Sequence, residues 1–184
     1  MATIDLIVLG ILKRESLSAY DIQKLVEYRN ISKWVKISTP SIYKKVLQLE
    51  ERGFIKRRME KEGKMPEKAV YSLTGQGEQE FERLMLEIAA KAINIYLDFN
   101  AVIVNLDSLS QEKQDRCLTD IEDNVRQLKF CLEENFLAKK NLPDVPENGI
   151  AVLQQQRMLA QAIEDWISAW KKNADNYDRN DTKE

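Results

Sequence analysis

The sequence predicts a mainly α-helical fold interrupted by one two-stranded hairpin. Three observations carry this expectation. Before residue 53, short apolar sets recur at helical spacing and are punctuated by capping residues. Between Phe54 and Leu73, two runs of strand character flank a polar, glycine-containing tip. Beyond Gly75, apolar residues recur every three or four positions over long stretches, broken only at Asp107–Ser110 and Asn141–Asn148.

Taken in order, Ile4, Leu6, Ile7, Leu9 and Leu12 predict a short apolar helix ending near Lys13-Arg14. Ser18 is placed to cap a second helix, whose inward face is Tyr20, Ile22, Leu25 and Val26. Residues 30–38 form a connector in which Trp34 reads as a packing anchor. The third helix is expected from about Thr39 to Arg52. Thr39 or Ser38 serves as N-cap, Pro40 suits the first helical position, and Gly53 can take the left-handed position after the last turn. Ile42, Val46 and Leu49 share its apolar face with Leu47 beside them, leaving Ser41, Lys44, Lys45 and Gln48 to point elsewhere. Small hydroxyls at the start of such a helix, followed by two lysines, are the composition of a helix that reads a major groove. The alternative is a surface helix with ordinary charges.

Phe54–Met59 and Ala69–Leu73 read as strands, with residues 60–68 as a hairpin tip. From Arg52 to Lys68 there are seven basic residues against three acidic ones. Three helices followed by a basic hairpin is the order of a winged helix-turn-helix. Lysines and arginines on such a wing reach phosphates while the helix offers groups to base edges. A merely solvated hairpin is the competing reading.

Thr74 is placed to cap the next helix, with Glu78 and Glu80 in its opening turns. The apolar set from Phe81 to Leu106 holds helical spacing for about seven turns and predicts one long helix bridging two halves. Ser110 is expected to cap another helix in which Leu118, Ile121, Val125, Leu128 and Leu132 alternate by three and four. After a turn carrying Pro143 and Pro146, a last helix carries Ile150, Leu153, Leu159, Ala160, Ile163, Trp166, Ile167 and Trp170. From Lys171 the chain turns polar, and residues 175–184 read as a frayed tail. The expected division is therefore a winged helix-turn-helix DNA-binding domain at 1–77, a linking helix at 78–106, a helical dimerisation and effector domain at 107–175, and a polar tail at 176–184.

Composition narrows the chemistry. The chain has 184 residues, a net charge of −2, no histidine, and two cysteines. On one helix, Cys117 and Cys131 would lie about 21 Å apart, too far for a mutual disulfide. Without histidine, the usual zinc sites and the Ser-His and Cys-His nucleophile pairs are excluded. The six glycines form no phosphate-binding loop. Nothing nominates a carboxylate pair, so the expectation is a non-enzyme without cofactor or metal. The absence of a long apolar run and of a basic leader segment points to a soluble, cytoplasmic chain without membrane association. Residues 1–80 hold 15 Lys/Arg against 11 Asp/Glu, whereas the remainder is acidic. A mildly basic first half on an acidic helical second half is the pattern of an anion-binding module.

Gly10-Ile11-Leu12, Ala19-Tyr20-Asp21-Ile22, Ser41-Ile42-Tyr43 through Leu49-Glu50-Glu51-Arg52-Gly53-Phe54-Ile55, and Val70-Tyr71-Ser72-Leu73-Thr74-Gly75-Gln76-Gly77 resemble the PadR family of bacterial transcriptional regulators over about the first 80 residues. Two positions depart from the family's pattern. Ala19 stands where a glycine is common before the tyrosine, and Lys64–Lys68 replaces an Arg-rich segment of the wing. The layout of the C-terminal helices resembles the longer PadR subfamily. The resemblance implies a homodimeric, sequence-specific DNA-binding transcriptional regulator on a twofold-symmetric operator in double-stranded DNA. It further implies a repressor of a neighbouring operon, released when a small ligand binds between the winged domain and the C-terminal helices. Phenolic acids are one such ligand class.

On this reading Thr39, Ser41, Tyr43 and Lys44 lie at the reading end of the third helix, and Lys45, Arg57, Arg58, Lys61, Lys64 and Lys68 are candidates for phosphate contacts. Tyr96, Phe99, Trp166 and Trp170 could line a pocket for a small aromatic effector. Alternatively the two tryptophans, one turn apart, seal the dimer interface. The competing function is a winged-helix protein-interaction adaptor without specific DNA binding, which the sequence pI of about 5.5 keeps open.

Overall fold

The computed structural model describes residues 2–61, 67–143 and 145–181, with side chains through Lys172. It divides into two compact units, Met1–Asn94 and Ile95–Glu184.

In the first unit, α1 (Ala2–Leu12), α2 (Ala19–Tyr28) and α3 (Ser41–Glu51) precede an antiparallel hairpin of β1 (Ile55–Glu60) and β2 (Lys68–Leu73), and α4 (Gly75–Ala89) follows. The core joins Val8 and Leu9 of α1, Ile22 and Val26 of α2, Ile42, Val46 and Leu49 of α3, Ile55 of β1 and Leu84 of α4. Trp34 packs at its margin, beyond a short 3₁₀ turn at Ile31–Lys33. Local signals explain most of the boundaries. The Ser18 hydroxyl accepts from the Asp21 N–H at 3.2 Å and caps α2. Gly53 has φ of 75°. Its N–H donates to Glu50 O at 2.9 Å and that of Phe54 to Leu49 O at 3.0 Å, which closes α3 in a Schellman motif. The Thr74 hydroxyl caps α4 by accepting from the Gly77 N–H at 3.1 Å, and the same oxygen reaches the Gly53 carbonyl at 2.7 Å. One caps a helix; the other straps that helix to the turn between α3 and the wing.

Four expectations require correction. Neither Ser38 nor Thr39 caps α3 with its side chain. Pro40 itself is right-handed helical, and the Ser38 and Thr39 carbonyls accept from Ser41 and Ile42 at 3.0 and 3.1 Å, so a turn begins earlier and leaves the hydroxyls unused. Ser110 likewise makes no side-chain capping bond to the following helix. The continuous linking helix across 78–106 is not formed. α4 stops at Ala89, and a separate short helix, α5 (Asn100–Ile103), follows. Ile93, Ile95 and Tyr96 are exposed, so helical spacing there meets no surface to bury against. The short polar side chains of Asn94, Asp98 and Asn100 compete for the local backbone, Asn94 donating to Ala92 O at 3.5 Å. Finally, helix persists beyond the expected fraying point near Asp175, because no glycine or proline interrupts residues 171–181.

The second unit is built on α6 (Gln111–Lys139) and α7 (Glu147–Asp181), joined through the turn that Pro143 and Pro146 predict. Their ion pairs fix an antiparallel register: Glu122 with Lys171 at 2.7 Å, Lys129 with Glu164, and Glu133 with Arg157 at 2.5 Å. Glu122 is buried, and the hydrogen bond from Lys171, reinforced by the charge of Arg126, holds its carboxyl below the usual carboxylate range. Leu106, Leu118, Ile121 and Ile167 form the small core, with Phe99, Cys117 and Trp170 at its edge. Cys117 and Cys131 are free thiols. Among the described residues, no helix is long and apolar enough to cross a membrane.

Candidate nucleic-acid interface

The burial of Ile42, Val46 and Leu49 turns the opposite side of α3 to solvent. Ser41, Tyr43 and Lys44 are exposed there, and Thr39 is half-buried just before them. Lys45 points the other way. Its side chain is 12% exposed, with Nζ 2.9 Å from Oδ1 of Asp5. Arg52 Nη1 lies 3.5 Å from the other oxygen of the same carboxylate. Asp5 is buried in an otherwise apolar α1, so this cluster fastens α3 to α1 and removes Lys45 from the surface that a ligand can approach. A single charged residue in an otherwise uncharged helix is the sequence signal for this pairing.

Leu47 is the second rearrangement. The expectation sets it beside the buried face, but at 100° per residue it falls across the helix from Ile42, Val46 and Leu49, and it is exposed and outside the hydrophobic core.

On the wing, strand alternation sends Lys56 and Arg58 to one face and Arg57 and Met59 to the other. Tyr71 also pairs with Leu17 in an isolated bridge outside the two-stranded sheet. The arginines are not bare. Arg57 Nε lies 3.3 Å from Glu50, Arg58 Nε donates to Glu60 at 3.0 Å, and Lys68 lies 3.9 Å from Asp21. Exposed pairs of this kind contribute about 0–1 kcal/mol, so an incoming phosphate can displace the carboxylate. Lys56 and Lys61 are exposed without an ionic partner among the described residues. Lys56, Arg58 and Ser72, together with Ser16, line a concavity of about 430 Å³ on the outer face of the sheet. Lys64 lies outside the described residues.

In the second unit, the expected aromatic set separates. Phe99 stacks on Trp166 with ring centroids 5.9 Å apart, and Trp166 meets Trp170 edge-on at 5.4 Å. Phe99 and Trp166 line an apolar groove of about 470 Å³ with Leu97, Leu128, Leu159 and Ile163. Trp170 instead packs on the small core. Tyr96 is 84% exposed and does not line the groove. Among the described residues, no group of three carboxylates or thiols is placed to hold a metal ion.

Residues 8–83 match the transcriptional regulator PadR-like family. The chain carries a PadR-like domain. The matched residues run from the second half of α1 through α2, α3 and the wing into α4, and the family is one of transcriptional regulators. Solved structures extend the likeness of fold beyond this PadR-like region. PadR of Bacillus subtilis in complex with operator DNA superposes with a TM-score of 0.76 at 22% identity, covering 91% of this chain and 96% of that one. The same protein in complex with p-coumaric acid gives 0.78 at 19% identity, covering 94% and 98%. The Vibrio cholerae virulence activator AphA gives 0.70 at 20% identity, covering 93% and 98%. Comparison with curated protein sequences gave no match.

Proposed function

We propose that this PadR-like protein is a cytoplasmic, homodimeric, sequence-specific DNA-binding regulator that releases its operator when a small aromatic molecule binds. The observation that carries the reading is α3. Its exposed Ser41, Tyr43 and Lys44 lie opposite its buried face, within the same compact unit as a wing bearing Lys56, Arg57, Arg58 and Lys61. Helix side chains supply base contacts and the wing supplies phosphate contacts. Two copies, joined through the C-terminal helices, place two reading helices on half-sites about 34 Å apart. The operator-bound structure of Bacillus subtilis PadR supports the DNA partner, and its p-coumaric acid complex supports a small aromatic acid as effector. Repression remains the preferred sign by family resemblance, although AphA is described as an activator.

Binding to the gene's own upstream duplex, measured at several salt concentrations, tests the DNA reading. Lys61→Ala is expected to reduce the magnitude of the salt slope by about 1, whereas Lys44→Ala, on the reading helix, should cost about 1–3 kcal/mol and relax specificity at one base position. An unchanged slope removes Lys61 from the contact set. Absence of any salt-sensitive, sequence-selective shift favours the adaptor reading instead.

For the effector, the groove beside Phe99 and Trp166 is the assigned site. Titration with p-coumaric acid is expected to quench tryptophan fluorescence. Trp166→Phe should remove most of the quenching, whereas Trp170→Phe, outside the groove, should retain it. Full quenching in Trp166→Phe would sink the assignment.

A further inference from the structure

The outward surface of α3 is not uniformly polar. At 100° per residue, Lys44 and Leu47 fall opposite the line of Ile42, Val46 and Leu49, with Tyr43 and Gln48 on the two flanks. Leu47 is 36% exposed and Tyr43 59%, and neither joins the core of the unit. A lone exposed leucine is ordinary on a protein surface. This one sits at the centre of the face that Lys44 presents, and it would be dehydrated whenever a duplex docks there. We propose that Leu47 reads a thymine by packing against its 5-methyl group in the major groove.

The argument is one of exclusion by chemistry. Leucine has no group to satisfy a base-edge donor or acceptor, and covering such an edge with an apolar side chain leaves it unpaired. The thymine methyl is the one apolar group that the four bases display in the major groove. Lys44 precedes Leu47 by three residues, a helical rise of about 4.5 Å. That distance compares with a base step of about 3.4 Å. Lys44 favours guanine O6 and N7. The assigned half-site therefore has a thymine within one or two base steps of a guanine. This assignment rests on the DNA-reading function proposed above and adds the base that is read.

The test uses the full-length protein. A bound site is first selected from a random duplex library, and each thymine is then replaced singly by deoxyuridine, which deletes only the methyl group. One position per half-site is expected to weaken wild-type binding about fourfold, the contribution of one buried methyl. Leu47→Ala should bind the thymine and uracil duplexes equally, while Leu47→Met, which keeps an apolar tip, should retain the preference. The proposal is overturned if no thymine is sensitive, or if Leu47→Ala keeps the discrimination with its thermal stability intact. Failure to select any duplex would overturn the DNA-binding reading itself and this assignment with it, whereas selection without methyl sensitivity overturns this assignment alone.

Discussion

Gly77→Ala is expected to destabilise the winged unit by about 3 kcal/mol, the upper end of the cost of overpacking a filled site. A Cβ at this position would stand 1.9 Å from the Phe54 carbonyl oxygen and 2.9 Å from Leu73 Cδ1. The first contact is with backbone, so no rotamer change relieves it. It also falls where the Thr74 hydroxyl ties the start of α4 to Gly53 and Phe54, at the junction of α3 and the wing. The melting temperature of the unit, followed by far-UV circular dichroism, should fall by about 12–24 °C. DNA affinity should fall with it, because separating α4 from this junction alters the wing's placement relative to the reading helix. Gly75→Ala is the control. Nothing lies within 4 Å of its added Cβ, and the change should stay within about 1 kcal/mol of wild type. If Gly77→Ala melts with wild type, the close approach of α4 to Phe54 is not part of the native packing.

Asp5→Ala is expected to cost about 3 kcal/mol, at the lower end for removing one partner of a buried ion pair. The loss strands Lys45, whose side chain is 12% exposed, whereas Arg52 is half-exposed and retains Glu80 at 3.6 Å. Replacing both buried partners together, Asp5→Leu with Lys45→Met, should bring stability back to within about 1 kcal/mol of wild type, since no buried charge is then left unpaired. Chemical denaturation of the full chain measures both. The same cluster yields a functional contrast within α3. Lys45→Ala should weaken DNA binding by loosening the helix on α1 while leaving both the salt slope and the base preference unchanged, whereas Lys44→Ala should relax specificity at one base position. A slope that falls by about 1 for Lys45→Ala would place its ammonium on a phosphate and contradict the structural role given to it.

These two residues mark how far the sequence could be read. Ser18, Gly53 and Thr74 were legible because capping and a left-handed turn are contests among neighbouring backbone groups, decided within a few residues. The hairpin was legible from its alternation, and the heptad-like spacing of Leu118, Ile121 and Val125 found their burial in the second unit. The long bridge after Gly75 was misread for a related reason. Spacing reports that a helix could bury a face, but Ile93, Ile95 and Tyr96 are exposed, and α4 ends at Ala89 before reaching them. In the candidate interface, Lys44 and Lys45 are adjacent and chemically identical in sequence, yet only Lys44 is presented to solvent. Among the aromatic candidates, Phe99 and Trp166 meet at one groove while Trp170 turns to the small core and Tyr96 to solvent.

By itself, then, the sequence determined the order of helices and strands, the residues that start and stop many of them, and the basic character of the wing. All of these follow from local backbone hydrogen bonding and from side-chain periodicity. Only the tertiary structure decided which of α3's groups are available to a duplex. Asp5, far away in the chain, draws Lys45 inward because a charge taken out of water must be met by its opposite. Leu47, which helical spacing already sets across α3 from Ile42, Val46 and Leu49, stays exposed because no other described element of the unit covers that side.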